Sequence, residues 1–195
     1  AERDTIIELT EGIKCKGSEN CLIELPEKYE GIQNKILKYY DNKNYPKAIE
    51  IANTIENEAD GIKYLILGYL HFDQGNYVEA EKQYLLSIEK GNAFASYNLA
   101  NVYRIHEEYT KAEKYYLLAI DKGNVEAINN LANLYSEQLK YSDAEKFYLL
   151  AIEKGASEAI INLAYLYKDQ EKYTKAEQYF LLAIDNGNTQ ALFNL

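Results

Sequence analysis

The chain has 195 residues, 47% of them hydrophobic and 27% charged, the balance of a folded protein rather than a disordered one. A net charge of -10 disfavours nucleic-acid backbones and anionic lipid surfaces as partners and is compatible with a basic partner or with mimicry of a nucleic acid. No apolar run approaches the roughly 20 residues that a membrane-spanning helix needs, so no insertion into a bilayer is expected.

Residues 1–27 share nothing with the rest of the chain and form a separate segment. The chain opens AERD and contains no Met, the start expected of a processed or excised chain. TIIEL and CLIEL are β-prone runs on either side of the turn-rich KGSEN, which predicts a small hairpin with Cys15 and Cys21 facing each other across it. These 2 cysteines are the whole complement. A disulfide, two free thiols and half of a metal site are the alternatives. A zinc site wants closer C-x₂₋₄-C spacing and two further ligands, and neither histidine is nearby. The disulfide is the preferred reading, and with it an extracytoplasmic location, whether periplasmic, surface or secreted. Free thiols would go with a cytoplasmic one.

From residue 28 to the end the chain repeats itself. Tyr45, Tyr77, Tyr109, Tyr141 and Tyr173 recur every 32 residues, as do Ala80, Ala112, Ala144 and Ala176. Gly91, Gly123, Gly155 and Gly187 keep the same step, and so do Leu99, Leu131, Leu163 and Leu195. Further back, Leu67 and Gly68 hold the register, and Ile36 and Tyr39 take the places of Ala132 and Tyr135. Each block predicts two helices. Ala112, Tyr116, Ala119 and Ile120 mark the apolar face of one, and Ala127, Leu131, Leu134 and Tyr135 that of the other. Tyr103, Tyr135 and Tyr167 belong to the core by the same spacing. Thr110 with Glu113, Ser142 with Glu145, and Thr174 with Glu177 read as capping boxes. Pro46 stands at the matching start of the earliest copy. Lys122-Gly123 and Lys154-Gly155 read as helix stops, and Asn124 as the next N-cap. The final TQALFNL ends in mid-helix by this register, leaving the last repeat incomplete and open to self-association through the terminal helix. Short loops make successive helices antiparallel, and identical pairs must stack to bury their apolar faces. The expected fold is all-α, an α-solenoid of antiparallel helix pairs.

NNLANLY, followed by Ala144, Tyr148 and Ala151, resembles the signature of tetratricopeptide repeats. The junction AIDKGNVEAINNL resembles the related Sel-one-like repeats. The resemblance implies a right-handed superhelix and a protein–protein interaction scaffold, and with the disulfide, the missing Met and the AER start the expected protein is bacterial and exported. The resemblance also implies that the first helix of each pair lines a concave groove in which an extended peptide or protein surface binds. Carried onto this chain, the groove positions hold Asn98, Asn130, Asn162 and Asn194, with Asn101 and Asn133 one turn on. An amide that both donates and accepts suits a peptide backbone. It equally suits bonds between helices, and both readings stand for the first of these series. Tyr69, Phe94, Tyr97, Ile161 and Tyr165 would add apolar contacts, and Arg104 and Lys168 would meet acidic groups. Tyr97, Asn129 and Ile161 stand where some relatives carry cations that clamp a terminal carboxylate, so that function is not expected.

Nothing in the chain announces catalysis, a cofactor or a metal. His71 and His106 have no paired nucleophile, and there is no Gly-rich phosphate loop, HExxH or G-x-S-x-G. The expected function is a non-catalytic scaffold. The alternative is an inhibitor whose acidic surface occupies a basic site on an enzyme.

Overall fold

The computed structural model describes residues 29–56, 60–188 and 191. The hairpin and the Cys15–Cys21 pair expected of the first segment lie outside these residues, as does Asn194. Among the described residues there are ten α-helices and no strand. They are α1 (Glu30–Asp41), α2 (Tyr45–Ala52), α3 (Asp60–Asp73), α4 (Tyr77–Glu89), α5 (Ala95–Ile105), α6 (Tyr109–Asp121), α7 (Val125–Glu137), α8 (Tyr141–Glu153), α9 (Glu158–Asp169) and α10 (Tyr173–Asp185). This is an all-α helical-repeat solenoid built from two compact units, one ending at Val102 and the other beginning at Tyr103.

The helix ends follow from turn chemistry. After α6, Gly123 takes a φ of 86°, and the N–H groups of Gly123 and Asn124 donate to Ile120 at 2.9 Å and to Ala119 at 3.0 Å. These two bonds make a Schellman motif, which satisfies carbonyls that the helix itself leaves open. The Asn124 side chain then caps α7, accepting from the Ala127 N–H at 2.8 Å.

The turn inside each pair corrects one expectation. Lys43, Gly75, Glu107, Leu139 and Glu171 all take left-handed φ angles, at 54°, 76°, 58°, 57° and 58°. The residue after each is at once the last of one Schellman motif and the N-cap of the next helix, as Lys140 is when its N–H donates to Tyr135 at 2.9 Å. The helices therefore begin at Tyr109, Tyr141 and Tyr173, which puts Thr110, Ser142 and Thr174 at the second helical position rather than at the cap. Glu108, Lys140 and Lys172 make no side-chain cap bond. Capping boxes do not form. Glu113 and Glu145 serve elsewhere, accepting the hydroxyls of Tyr135 at 2.9 Å and Tyr167 at 2.8 Å.

In the first unit, α3 packs between α2 and α4, and Ile36, Ala48, Ala52, Ile62, Ile66, Leu67 and Leu70 form the core. Gly68 stands where later copies carry alanine, because a Cβ there would come within 2.5 Å of the Tyr84 ring. In the second unit α6 packs on α7, α7 on α8, α8 on α9 and α9 on α10. Ala112, Tyr116, Ala119, Ala127, Leu131, Leu134 and Tyr135 are buried, as the apolar spacing requires. Ala191 takes the register of Ala127 and Ala159 and is likewise fully buried. Ring contacts tie each first helix to the next second helix: Tyr103 stacks on Tyr115 at 5.5 Å, and tilted pairs join Tyr135 to Phe147 at 5.5 Å and Tyr167 to Tyr179 at 5.4 Å.

Candidate functional site

Six of the candidate binding residues lie in the second unit: Arg104, Asn130, Asn133, Asn162, Tyr165 and Lys168. Ile161, expected to add an apolar contact in the groove, is buried among the core residues of α9 instead. Asn162 donates its amide to Asn129 at 3.1 Å, joining α9 to α7, and Asn129 itself is buried. This is the helix-to-helix role that the sequence left open beside the groove role. Asn133 accepts the hydroxyl of the buried Tyr148 at 2.6 Å and turns its amide nitrogen to Asn130 at 3.4 Å. Burial, the largest cause, pushes the Tyr148 phenol well above its ordinary range, so it keeps the proton that it donates to Asn133.

One repeat later the same two places hold Tyr165 and Phe180, whose rings meet edge-on at 5.3 Å. The change is matched on both sides. In these two copies a hydroxyl on the second helix meets an amide oxygen and a phenylalanine meets a ring, although the first unit holds Tyr69 and Tyr84 at the same two places. Part of the asparagine series is therefore selected by the core, while Tyr165 keeps 38% of its surface exposed. Arg104 pairs with Glu137 at 3.2 Å, both side chains partly exposed, so its charge is already answered inside the unit. Lys168, at the matching place in α9, is exposed at the helix end.

Tyr69, Phe94, Tyr97, Asn98 and Asn101 lie in the first unit, and all are half-buried. Phe94 enters α5 through a turn in which its N–H donates to the Asn92 side chain at 3.2 Å. Tyr69 belongs to a cluster that sequence reasoning missed. Its hydroxyl lies 3.1 Å from that of Tyr40 on α1, and the two rings are 5.8 Å apart. Tyr45, at the start of α2, sets its ring edge-on to Tyr40 at 5.9 Å and donates its hydroxyl to Asp73 at 2.7 Å. Burial, then Tyr69 and Asp73, holds the Tyr40 phenol far above its usual range, and the bond to Asp73 raises that of Tyr45. The available signal was the spacing: Tyr40 precedes Asp73 by the interval that separates Arg104 from Glu137.

The two histidines do not gather a site. His106 is exposed, and His71 sits half-buried in the register of the core tyrosines. Burial lowers the imidazole's affinity for a proton, against an opposing pull from Glu79, and its Nδ1 has no hydrogen-bond partner among the described residues. Among the described residues no three His, Cys, Asp or Glu side chains gather as a metal site would require, and no helix is long and apolar enough to cross a membrane.

Comparison with known families finds three matches, each to a model of the tetratricopeptide repeat, over residues 67–127, 125–155 and 157–186. No curated protein gives a significant match. Solved structures do. One of MamA is 20% identical, with a TM-score of 0.67, covering 79% of this chain and 95% of that one. The MamA of Desulfovibrio magneticus RS-1 is 13% identical, with a TM-score of 0.67, covering 85% of this chain and 98% of its own. A tetratricopeptide repeat protein from Parabacteroides merdae is 22% identical, with a TM-score of 0.67, covering 84% of this chain and 68% of its own. At these identities the likeness is one of fold.

Proposed function

The chain is a tetratricopeptide-like repeat protein, a repeat that serves as a protein–protein interaction scaffold, and we propose that it holds an extended segment of another protein along the face formed by its first helices, without catalysis. The observation that carries this reading is the pattern on α7 and α9. Two of their faces are buried in Ala127, Ile128, Leu131, Ala132, Leu134 and their counterparts, while the third keeps polar and aromatic groups at the surface in matching register. Asn130 and Asn162 occupy one such place, Asn133 and Tyr165 the next, Ser136 and Lys168 the third. An exposed tyrosine beside amides and a cation offers a peptide a ring to pack on, backbone partners and an ionic anchor. Each neutral hydrogen bond contributes only about 0.5–1.5 kcal/mol, so binding must draw on several of these places together.

A photo-reactive residue placed at Lys168 tests the reading against one placed at Leu117, which is 43% exposed on the second helix α6. In extracts of the source organism, a partner cross-linked from position 168 and absent from position 117 is the expected result. Capture from position 117 alone would move binding to the second-helix face. A captured partner released at moderate salt would instead favour the acidic surface as the main determinant, since screening acts on exposed charge.

A further inference from the structure

Asp73 is the C-terminal residue of α3, exposed, and no lysine or arginine among the described residues pairs with it. Its counterpart in the second unit, Glu137, is neutralised by Arg104 at 3.2 Å. The residue standing to Asp73 as Arg104 stands to Glu137 is Tyr40. Across the copies this place holds Tyr40, Phe72, Arg104, Ser136 and Lys168, so a carboxylate that one copy answers with a guanidinium meets a phenol here. The carboxylate is oriented by hydroxyls: Tyr45 donates to Oδ2 at 2.7 Å, and the Tyr40 hydroxyl faces the same group while lying 3.1 Å from that of Tyr69. The rings of Tyr45 and Tyr69 both pack on that of Tyr40, with centroids 5.9 and 5.8 Å from it.

From this juxtaposition we propose that Tyr40, Tyr45, Tyr69 and Asp73 form a receptor for an arginine side chain of the bound segment. The guanidinium takes the place that Arg104 fills internally in the second unit. It is planar and weakly hydrated, it stacks on aromatic rings and it meets a carboxylate through two parallel N–H bonds, needs that a phenol-lined carboxylate answers together. A lysine meets the carboxylate as a point charge and gains less from the rings. The chain's net charge of -10 draws such a partner in, and the Asp73 carboxylate beside its phenols gives it a place to stop.

The proposal rests on the reading of the first-helix face as the binding surface, and its test is separable from that one. The probe is an acetylated and amidated Gly-Arg-Gly-Arg-Gly peptide, with the citrulline and lysine peptides of the same length beside it, titrated into the full chain at fixed ionic strength and followed by NMR. Asp73→Asn keeps the shape and the hydroxyl bonds but removes the charge. Tyr40→Arg rebuilds the internal pair of the second unit. Glu89→Gln removes one exposed charge elsewhere on the first unit and controls for bulk electrostatics. The expected result is that the arginine peptide binds more tightly than lysine, that citrulline binds weakly, and that both Asp73→Asn and Tyr40→Arg lose roughly tenfold or more, the size of one charge-assisted contact. Glu89→Gln should bind as the parent does. If Asp73→Asn weakens the arginine peptide no more than Glu89→Gln does, or if citrulline binds as well as arginine, the proposal is overturned. That result leaves the cross-link at position 168 as an independent test of the face itself. Thermal melting of Tyr40→Arg keeps the test readable, because a variant that still melts cooperatively above the titration temperature is folded and its lost binding is then a lost site.

Discussion

The same place in the repeat is built in two ways. In the second unit Tyr135 packs its ring against Phe147 and bonds Glu113, and Tyr167 packs its ring against Tyr179 and bonds Glu145. In the first unit the corresponding pair is His71 and Gln83, and Ile49 stands where the bonding glutamate would be. Gln83 is buried; its amide nitrogen donates to Glu79 at 2.6 Å, but its oxygen, like Nδ1 of His71, finds no partner among the described residues. The difference separates two functions of the tyrosine stripe that the sequence presents as one. The rings supply packing, and the hydroxyls hold a carboxylate that would otherwise be read as a helix cap. A copy that loses both retains the helix pair but carries two buried polar atoms that cost stability.

The sharpest way to break the comparison is to import the weak pair into the strong unit. Tyr135→His with Phe147→Gln removes a ring contact and the Glu113 bond and buries polar atoms without partners. The expected cost is about 3–5 kcal/mol, from lost burial, the aromatic pair and unsatisfied groups together. Urea unfolding reads it directly. A cost under about 1 kcal/mol would mean that neither the ring contact nor the hydroxyl bond holds the unit together.

A smaller effect separates the two pairs by pH. Burial lowers the His71 pKa from 6.5, the ordinary value, with Lys82 acting in the same direction and Glu79 opposing both. In the window between the lowered folded value and the unfolded one, the unfolded chain binds more protons. Stability from this residue is therefore present above about 6.5 and is lost as pH falls toward the folded value. The urea midpoint of the parent should drop more between pH 7.5 and 5.5 than that of His71→Tyr, whose phenol does not titrate in this range. Equal slopes would show that the imidazole reaches solvent as readily folded as unfolded.

These contrasts mark what could be read in advance. The 32-residue step, the two helices per block, the left-handed glycines and the buried stripe were all legible, because each depends on residues close in the chain or on apolar spacing alone. The capping boxes failed because the two-residue turn that ends one helix also starts the next, so the cap falls on Lys140 and not on Ser142. The role of Asn133 was hidden for a different reason. Its partner Tyr148 lies on the neighbouring helix, and no pattern within α7 distinguishes an amide that holds a phenol from one that awaits a peptide. The Tyr40–Tyr45–Asp73 cluster was hidden in the same way, across three helices, although its spacing was in view.

The turn inside each pair offers the smallest test and the cleanest comparison of the units. Gly75 takes its left-handed φ of 76° with no side chain to strain, whereas Leu139 holds 57° with one, at the same position of the same motif. A left-handed conformation costs an L-residue roughly 1–2 kcal/mol, while glycine loses about 0.5–1 kcal/mol in chain entropy on being fixed. Leu139 is 69% exposed, so little packing offsets the strain. Leu139→Gly should therefore stabilise the chain by about 0.5 kcal/mol, a rise of one or two degrees in Tm for a chain of about this size. Its neighbour Lys140 would keep its bond to Tyr135, and the helices would not change. A fall in Tm would mean that the leucine side chain contributes contacts worth more than the strain it carries, and that the non-glycine turns at Glu107, Leu139 and Glu171 are held by their side chains rather than tolerated in spite of them.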